Sequence, residues 1–418
     1  MTWRSVVSVA LTACMIGLAN CPAAEDEPAQ QASDEEAAST PIQHLPLDAP
    51  AGMSQAVIVQ GQPLVHTRQL VPVDRQGKIV GPGSVEKQVE QVLDNLQAVL
   101  GGSGSSLGQL VRLNVYAIEP STVDRVREQL ALRLEPAVRP AITSVLTPMP
   151  HRDALVAVDA VAVAAEKGET VALQRVEAVA GDEDCADAAV LPRGGIAYLS
   201  GVPAEPGLTQ SAVDKSMSGL LKTLDTFQLT PAHVVQLKVF LRPASAADEV
   251  RRVLKKYFPG QMMPPVVFVE WLAGPPVEIE LVAQLPLSGE STPKVEYYNQ
   301  PEVRLSQLFS RAALVRTERQ IYISSLFAPK ATGRREEEAL AVFDQLEAIL
   351  AAAGSDLRHL AKGTYYVIDP GSASGMDRVR LWRYDQASAP AASKCMVHGV
   401  GKARRTMTLD MIAVGSEP

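Results

Sequence analysis

Residues 92–100 read VLDNLQAVL and residues 342–350 read VFDQLEAIL, a match without a gap at an offset of 250. The match continues downstream. Gly104-Ser105-Ser106-Leu107 aligns with Gly354-Ser355-Asp356-Leu357, and VYAIEP at 115–120 aligns with YYVIDP at 365–370. A weaker middle copy stands at an offset of 124, where VRLNVY at 111–116 aligns with VQLKVF at 235–240. The same two offsets carry Pro140 to Pro264 and to Pro390. One register held over a helix, a loop and strands predicts three copies of one unit, and internal repetition decides the fold before any other feature.

Each copy follows the same grammar. Two extended runs come first: 57–59 with 64–71, then 188–190 with 195–200, then 312–315 with 320–325. An amphipathic helix follows, over about 84–101, 208–226 and 334–353. In the first, Val89, Val92, Leu93, Leu96 and Leu100 recur at helical spacing. A loop leads to an alternating strand, seen most clearly in Val235, Leu237, Val239 and Leu241. A second helix is predicted over about 121–134, 245–257 and 372–384. Pro140, Pro264 and Pro390 then stand at the entry to a fourth strand, where a missing N–H is tolerated. A last strand ends each copy, in 154–162, 277–283 and 406–414. The fold class is therefore α+β, with a mixed sheet and two helices on one of its faces. The other face needs cover. Val156, Val158 and Ala160, and likewise Val277, Ile279 and Leu281, are read as that face, packed centrally in a closed ring of three sheets.

The chain has 418 residues, 46% hydrophobic and 21% charged, with a formal net charge of −8. Residues 1–24 combine Arg4, an apolar run from Val6 to Leu18, and small residues at Ala23 and Ala24. This is the pattern of a secretory signal peptide, so the protein is expected to be exported, to a periplasm or the medium. The run Leu11-Thr12-Ala13-Cys14 leaves lipid anchoring at Cys14 open, although the apolar stretch continuing past it favours plain cleavage. Residues 25–51 hold seven acids and no Lys or Arg, a composition that predicts a disordered tether. The chain from residue 52 onward is then close to neutral, about −2, which disfavours a nucleic-acid partner. Three copies are expected over 52–165, 166–286 and 287–418. No segment after the leader has the ~20 apolar residues of a membrane span.

These copies resemble the Rid family, the reactive-intermediate deaminases of the YjgF/YER057c/UK114 group. The likeness rests on Ser54-Gln55-Ala56-Val57 and Gln91-Val92-Leu93-Asp94-Asn95-Leu96 in the first copy. In the second it rests on Leu199-Ser200-Gly201 and on VEIELVA at 277–283, and in the third on Phe309-Ser310-Arg311-Ala312 and Asp410-Met411-Ile412-Ala413. Family members are homotrimers with clefts between subunits. The resemblance implies tandem chorismate mutase-like domains arranged as an intramolecular pseudo-trimer, monomeric in solution, with a small-molecule ligand at the domain interfaces.

The resemblance also locates candidate residues. The imine-hydrolysing branch carries an Arg early in the fourth strand, suited to a bidentate hold on a substrate carboxylate. Here that place falls on Ile142, Val266 and Ala392. The family tyrosine before Ser-Gln-Ala-Val is replaced by Met53 and Phe309, with Ala186 the nearest equivalent in the second copy. Asp159, Glu280 and Asp410 occupy corresponding places in the last strands and resemble the family glutamate that positions water. They are the catalytic candidates, set against a reading as ion-paired interface carboxylates. Lys394, His398, Phe309 and Ser200 are candidate ligand-binding residues. Alternation puts Lys394, Met396 and His398 on one strand face and Cys395 on the other, which disfavours a Cys–His nucleophile pair. Cys185 and Cys395 are either bridged or free. The six His show no metal-ligand spacing, and no glycine-rich phosphate loop is present, so neither metal nor cofactor is expected. A binder that has lost the family Arg, a divergent imine or enamine hydrolase and, more remotely, a ribonuclease are the functions these residues allow.

Overall fold

One pattern recurs three times along the chain: a short strand pair, then four strands and two helices. The first pass is β1 (Ile42–Leu45), β2 (Ala56–Gln60), β3 (Leu64–Thr67), α1 (Val85–Gly102), β4 (Leu110–Ala117), α2 (Pro120–Arg133), β5 (Ala141–Leu146) and β6 (Val156–Val163). The second is β7 (Ala172–Gln174), β8 (Ala188–Leu191), β9 (Gly195–Pro203), α3 (Thr209–Thr226), β10 (Val234–Leu241), α4 (Ala247–Leu254), β11 (Val266–Glu270) and β12 (Val277–Leu285). The third is β13 (Val295–Tyr298), β14 (Ala312–Val315), β15 (Arg319–Ile323), α5 (Arg335–Ala352), β16 (Leu360–Val367), α6 (Pro370–Arg383), β17 (Ala391–Met396) and β18 (Met407–Val414). This computed structural model describes residues 41–203, 209–272, 275–286, 293–300 and 306–416. The leader, Cys14 and residues 25–40 of the expected tether lie outside these.

The helices begin where local chemistry predicts. Ser84 caps α1 by accepting from the Lys87 N–H, and Asp369 caps α6 ahead of Pro370 by accepting from Ser372. The second copy's second helix is shorter than its pattern suggested, because Lys255–Tyr257 tighten into a 3₁₀ turn. A correction falls at the tether. Ile42–Leu45 form an edge strand paired with β2, in register from Ile42–Val59 to Leu45–Ala56. Composition averaged over 27 residues, seven of them acidic, hides a four-residue strand.

The strands form three six-stranded mixed sheets, ordered β5-β4-β6-β3-β8-β7, β11-β10-β12-β9-β14-β13 and β17-β16-β18-β15-β2-β1. The α+β class and the tandem three-unit arrangement are thus plain in the topology. The short pair that opens each copy does not join that copy's own sheet. β2 pairs with β15, β8 with β3, and β14 with β9. The chain crosses between sheets at the three-residue turns 61–63, 192–194 and 316–318. Gly61 (φ 58°) and Gly194 (φ 130°) supply conformations there that other residues avoid. Each sheet is therefore shared between two copies, and β1 with β2 closes the ring onto the third sheet.

One apolar cluster lies between each of the three sheets and its helices. Val156, Val158 and Ala160 belong to the first, and Val277, Ile279 and Leu281 to the second. This corrects the expected facing: these residues meet helices, and the alternate set points to the ring's centre. Both faces are buried, so periodicity alone could not tell them apart. The centre is layered. Val161, Val163, Val282, Ile412 and Val414 join one central apolar cluster. Ala157, Tyr116, Phe240 and Tyr366 join another further along the strands. Between them, the same strands carry Asp159, Glu280 and Asp410.

Candidate functional site

Where one sheet's fourth strand meets the chain leaving its neighbour, three equivalent seams arise. In the first, the Ser324 hydroxyl donates to Ser54 O (2.5 Å) and accepts from Ile142 N (2.8 Å). Ser325 donates its N–H to Ile142 O, and its hydroxyl accepts from Ser144 N at 3.0 Å. In the second, Gln69 takes the place of Ser325. Its backbone N–H donates to Val266 O, while its amide donates to Phe268 O (2.9 Å) and accepts from Phe268 N. Its side chain fills the seam.

The third seam repeats the serine clasp and then departs. Ser200 donates to Ser310 O (2.5 Å) and accepts from Ala392 N (2.8 Å). The next residue is Gly201, whose N–H donates to the Ser393 hydroxyl at 3.2 Å. The space that Gln69 and Ser325 occupy elsewhere is taken here by the carboxyl of Glu278. A Cβ on Gly201 would lie 1.9 Å from Glu278 Oε1, so glycine is what admits this carboxyl. Glu278 is 8% exposed and hydrogen-bonded to Ser393 across the seam. Burial pushes its pKa up to about 7, and Glu280 adds to the rise, against the Ser393 hydrogen bond and the charges of Arg311 and Lys362. Arg311 enters from the opposite strand and donates to Gly201 O at 3.3 Å. Strand register equates Glu278, opposite Phe240, with Ala157, opposite Tyr116, and Thr408, opposite Tyr366. The third seam alone has a carboxyl at this place.

The sequence-derived candidates separate into two groups. Asp159, Glu280 and Asp410 do come together, but in the ring's centre rather than at the seams, and their expected place is corrected. Asp159 accepts from Asn114 (2.9 Å) and the Tyr116 hydroxyl (2.6 Å). Glu280 pairs with Lys362 at 2.7 Å. Asp410 pairs with Arg112 and lies 3.6 Å from Lys238. Three cations thus face three carboxylates between two apolar layers. Burial would raise the Asp410 pKa, but Arg112, Lys238 and Lys362 hold it below the usual carboxylate range. Groups so paired and buried carry structural charge.

Ser200 is at the third seam, with its hydroxyl committed to the backbone clasp. Lys394 is on the helix side of β17, paired with Asp377 of α6. Phe309 packs against the same helix-side cluster as Ala392 and Met396. His398 meets Glu270 at 3.2 Å near the surface. The structure therefore joins Ser200 to Glu278 and Ser393, and sets Lys394, Phe309 and His398 apart from them. Cys185 and Cys395 are free thiols. Cys395 faces the central layer beside Tyr366 and Phe240, and burial raises its pKa well above the ordinary value. Among the described residues, no group of three or more His, Cys, Asp or Glu could hold a metal, and no helix is long and apolar enough to cross a membrane. Sequence reasoning missed Glu278. The available signal was its coincidence with Gly201 on the neighbouring strand β9, legible only once the register is known.

A mixed sheet with two covering helices, repeated around a ring with seams between copies, defines a trimer-type α+β protein written into one chain. The family model described as Endoribonuclease L-PSP matches residues 45–164. A RutC family protein of Synechocystis sp. is 32% identical over 124 residues, which is 29% of this chain and 94% of that protein. Protein DfrA of Myxococcus xanthus is 31% identical over 110 residues, 26% of this chain and 83% of that protein. Among solved structures, a Rid-family protein from Yersinia pestis is 24% identical with a TM-score of 0.26, covering 30% of this chain and 99% of that one. A YjgF-family protein from Neisseria meningitidis is 18% identical with a TM-score of 0.23, covering 30% and 97%. The chain belongs to the Rid (YjgF) family.

Proposed function

We propose that the protein binds a small metabolite at its third seam and hydrolyses a C=N bond there, with Glu278 moving the proton. The observation that carries this reading is the Glu278 carboxyl, held between Gly201 and Ser393 and titrating near neutrality. A general acid–base is most effective when its pKa lies near the working pH. Protonated, Glu278 can donate to an imine nitrogen. As the carboxylate it can take a proton from the water that attacks the carbon. The resulting carbinolamine expels ammonia or an amine and leaves a carbonyl. The first and second seams, with Thr408 and Ala157 at this place, keep the fold without the acid. On this reading the loss of the fourth-strand Arg at Ile142, Val266 and Ala392 does not end activity everywhere; it leaves one seam to work with different groups.

The test is hydrolysis of the imine that a dehydratase generates from serine or threonine. Glu278→Gln should lower the rate by ~10²–10⁴-fold, the range for removing a general acid–base. Glu280→Gln, assayed at equal folded concentration, should not. No turnover by the wild type would leave a binding function only, a wild-type rate in Glu278→Gln would remove Glu278 as the acid–base, and cleavage of RNA by the wild type would favour the nuclease reading instead. Export under the leader at 1–24, and a monomeric pseudo-trimer in which β1 and β2 close the ring, complete the proposal.

A further inference from the structure

At the ring's centre lies a cavity of about 20 Å³, lined among others by His66, Arg112, Asp159, Lys238, Glu280 and Lys362. It is flanked by apolar layers, and its Glu280 stands two residues further along β12 than the seam's Glu278. Two of its lining side chains are incompletely satisfied by the protein. Neither ring nitrogen of His66 has a hydrogen-bond partner, and Glu280 uses Oε1 on Lys362 while Oε2 has none. His66 and Glu280 are each 2% exposed. Lys238, with three N–H donors, makes a single ion pair at 3.6 Å to Asp410. Leaving buried polar atoms unmatched costs stability, because each has given up its water without a replacement, so the cavity calls for a guest that both donates and accepts.

Size and charge identify that guest. A cavity of roughly 10–15 Å³ is enough for one water, and a buried water typically makes two to four hydrogen bonds. Arg112, Lys238 and Lys362 balance Asp159, Glu280 and Asp410, so neither an anion nor a cation is drawn in. His66 is neutral, since burial, reinforced by Arg112, lowers its pKa to about 3. A neutral imidazole offers one donor and one acceptor.

We infer that this cavity is a binding site for one trapped water molecule, which donates to Glu280 Oε2 and bonds to a ring nitrogen of His66. The central carboxylates would then hold water for structural reasons. This water is not the one that reacts, and the inference stands or falls independently of the proposal for the third seam.

Diffraction from crystals of the described fold, with parallel soaks in bromide and thallium(I), tests it. The expected result is one compact peak at hydrogen-bond distance from Glu280 Oε2 and a His66 nitrogen, with no anomalous signal in either soak. No density, or a bromide or thallium signal, would overturn it. His66→Leu fills part of the space and removes one partner. The peak should vanish while the circular dichroism spectrum is kept and imine hydrolysis stays within twofold of wild type. An unchanged peak in that variant would remove His66 as a partner and refute the site as drawn. If His66→Leu does not fold, His66→Phe gives the same readout. A large rate loss in a folded variant would mean that the central water is the reacting one.

Discussion

The second and third seams are built from the same elements, yet one is closed and the other holds an ionisable group. At the second, Gln69 lays its amide along Phe268 and satisfies the edge of β11. At the third, Gly201 withdraws, and Glu278 enters from a neighbouring strand to meet Ser393. The residue opposite Tyr116 in the second seam's sheet is Ala157, so nothing there could use a gap. A covalent ring permits this divergence. In a homotrimer every seam changes together, whereas three written copies can each drift while the shared sheets keep the ring intact.

The comparison breaks most sharply if the third seam is made to resemble the second. Gly201→Gln places side-chain atoms where Glu278 now sits. It should cut imine hydrolysis by ~10²–10⁴-fold in a steady-state assay while thermal unfolding remains cooperative. Activity close to wild type in that variant would mean that Glu278 is not the working group.

The contrast between seam and centre comes next in size. Asp410→Asn leaves Arg112 buried without its charge partner, a change that typically destabilises by about 3–5 kcal/mol. Chemical denaturation should show that loss, and the surviving folded fraction should hydrolyse imine at the wild-type rate per molecule.

Glu278 also has a pH signature. Its pKa rises on folding from about 4.5 to about 7, so across that window the native state keeps a proton that the unfolded chain has released. Stability therefore falls as pH rises from about 4.5 to 7, by roughly 3 kcal/mol in all. Glu278→Gln should flatten this slope, and denaturation midpoints at several pH values would show it. The smallest effect is expected from Lys394→Ala. Its pair with Asp377 is about a third exposed on the lysine side, and such pairs contribute about 0–1 kcal/mol. Neither ligand binding nor turnover should change measurably.

Much of the fold was legible in the sequence because repetition and periodicity are local. The offsets of 250 and 124, the Val89-to-Leu100 stripe and the three prolines each mark an element without reference to any partner. The partner of a strand is a different kind of fact. Turns 61–63, 192–194 and 316–318 read alike whether the flanking strands pair with each other or pass into separate sheets. The site failed at the same level. Glu278 and Glu280 lie two residues apart on one strand face, so alternation treats them alike. Their depths differ because Glu278 stands opposite Phe240 and Pro203 at the seam, whereas Glu280 stands opposite Lys238 in the central layer. Lys394 stands among the ligand-binding candidates because a fourth strand has two faces and only helix packing decides which is covered; Phe309 stands there because of the family tyrosine it replaces, and its side chain packs on the helix-side cluster.

The account rests on one carboxyl that alone among the described seams stands against a glycine and across from a serine. Carbon-detected NMR titration of the side-chain carboxyls, compared between wild type and Glu278→Gln, addresses it directly. The prediction is a resonance with a midpoint near pH 7 that disappears in the variant. A wild-type spectrum in which the Glu278 carboxyl titrates in the ordinary range, near 4.5, would contradict it.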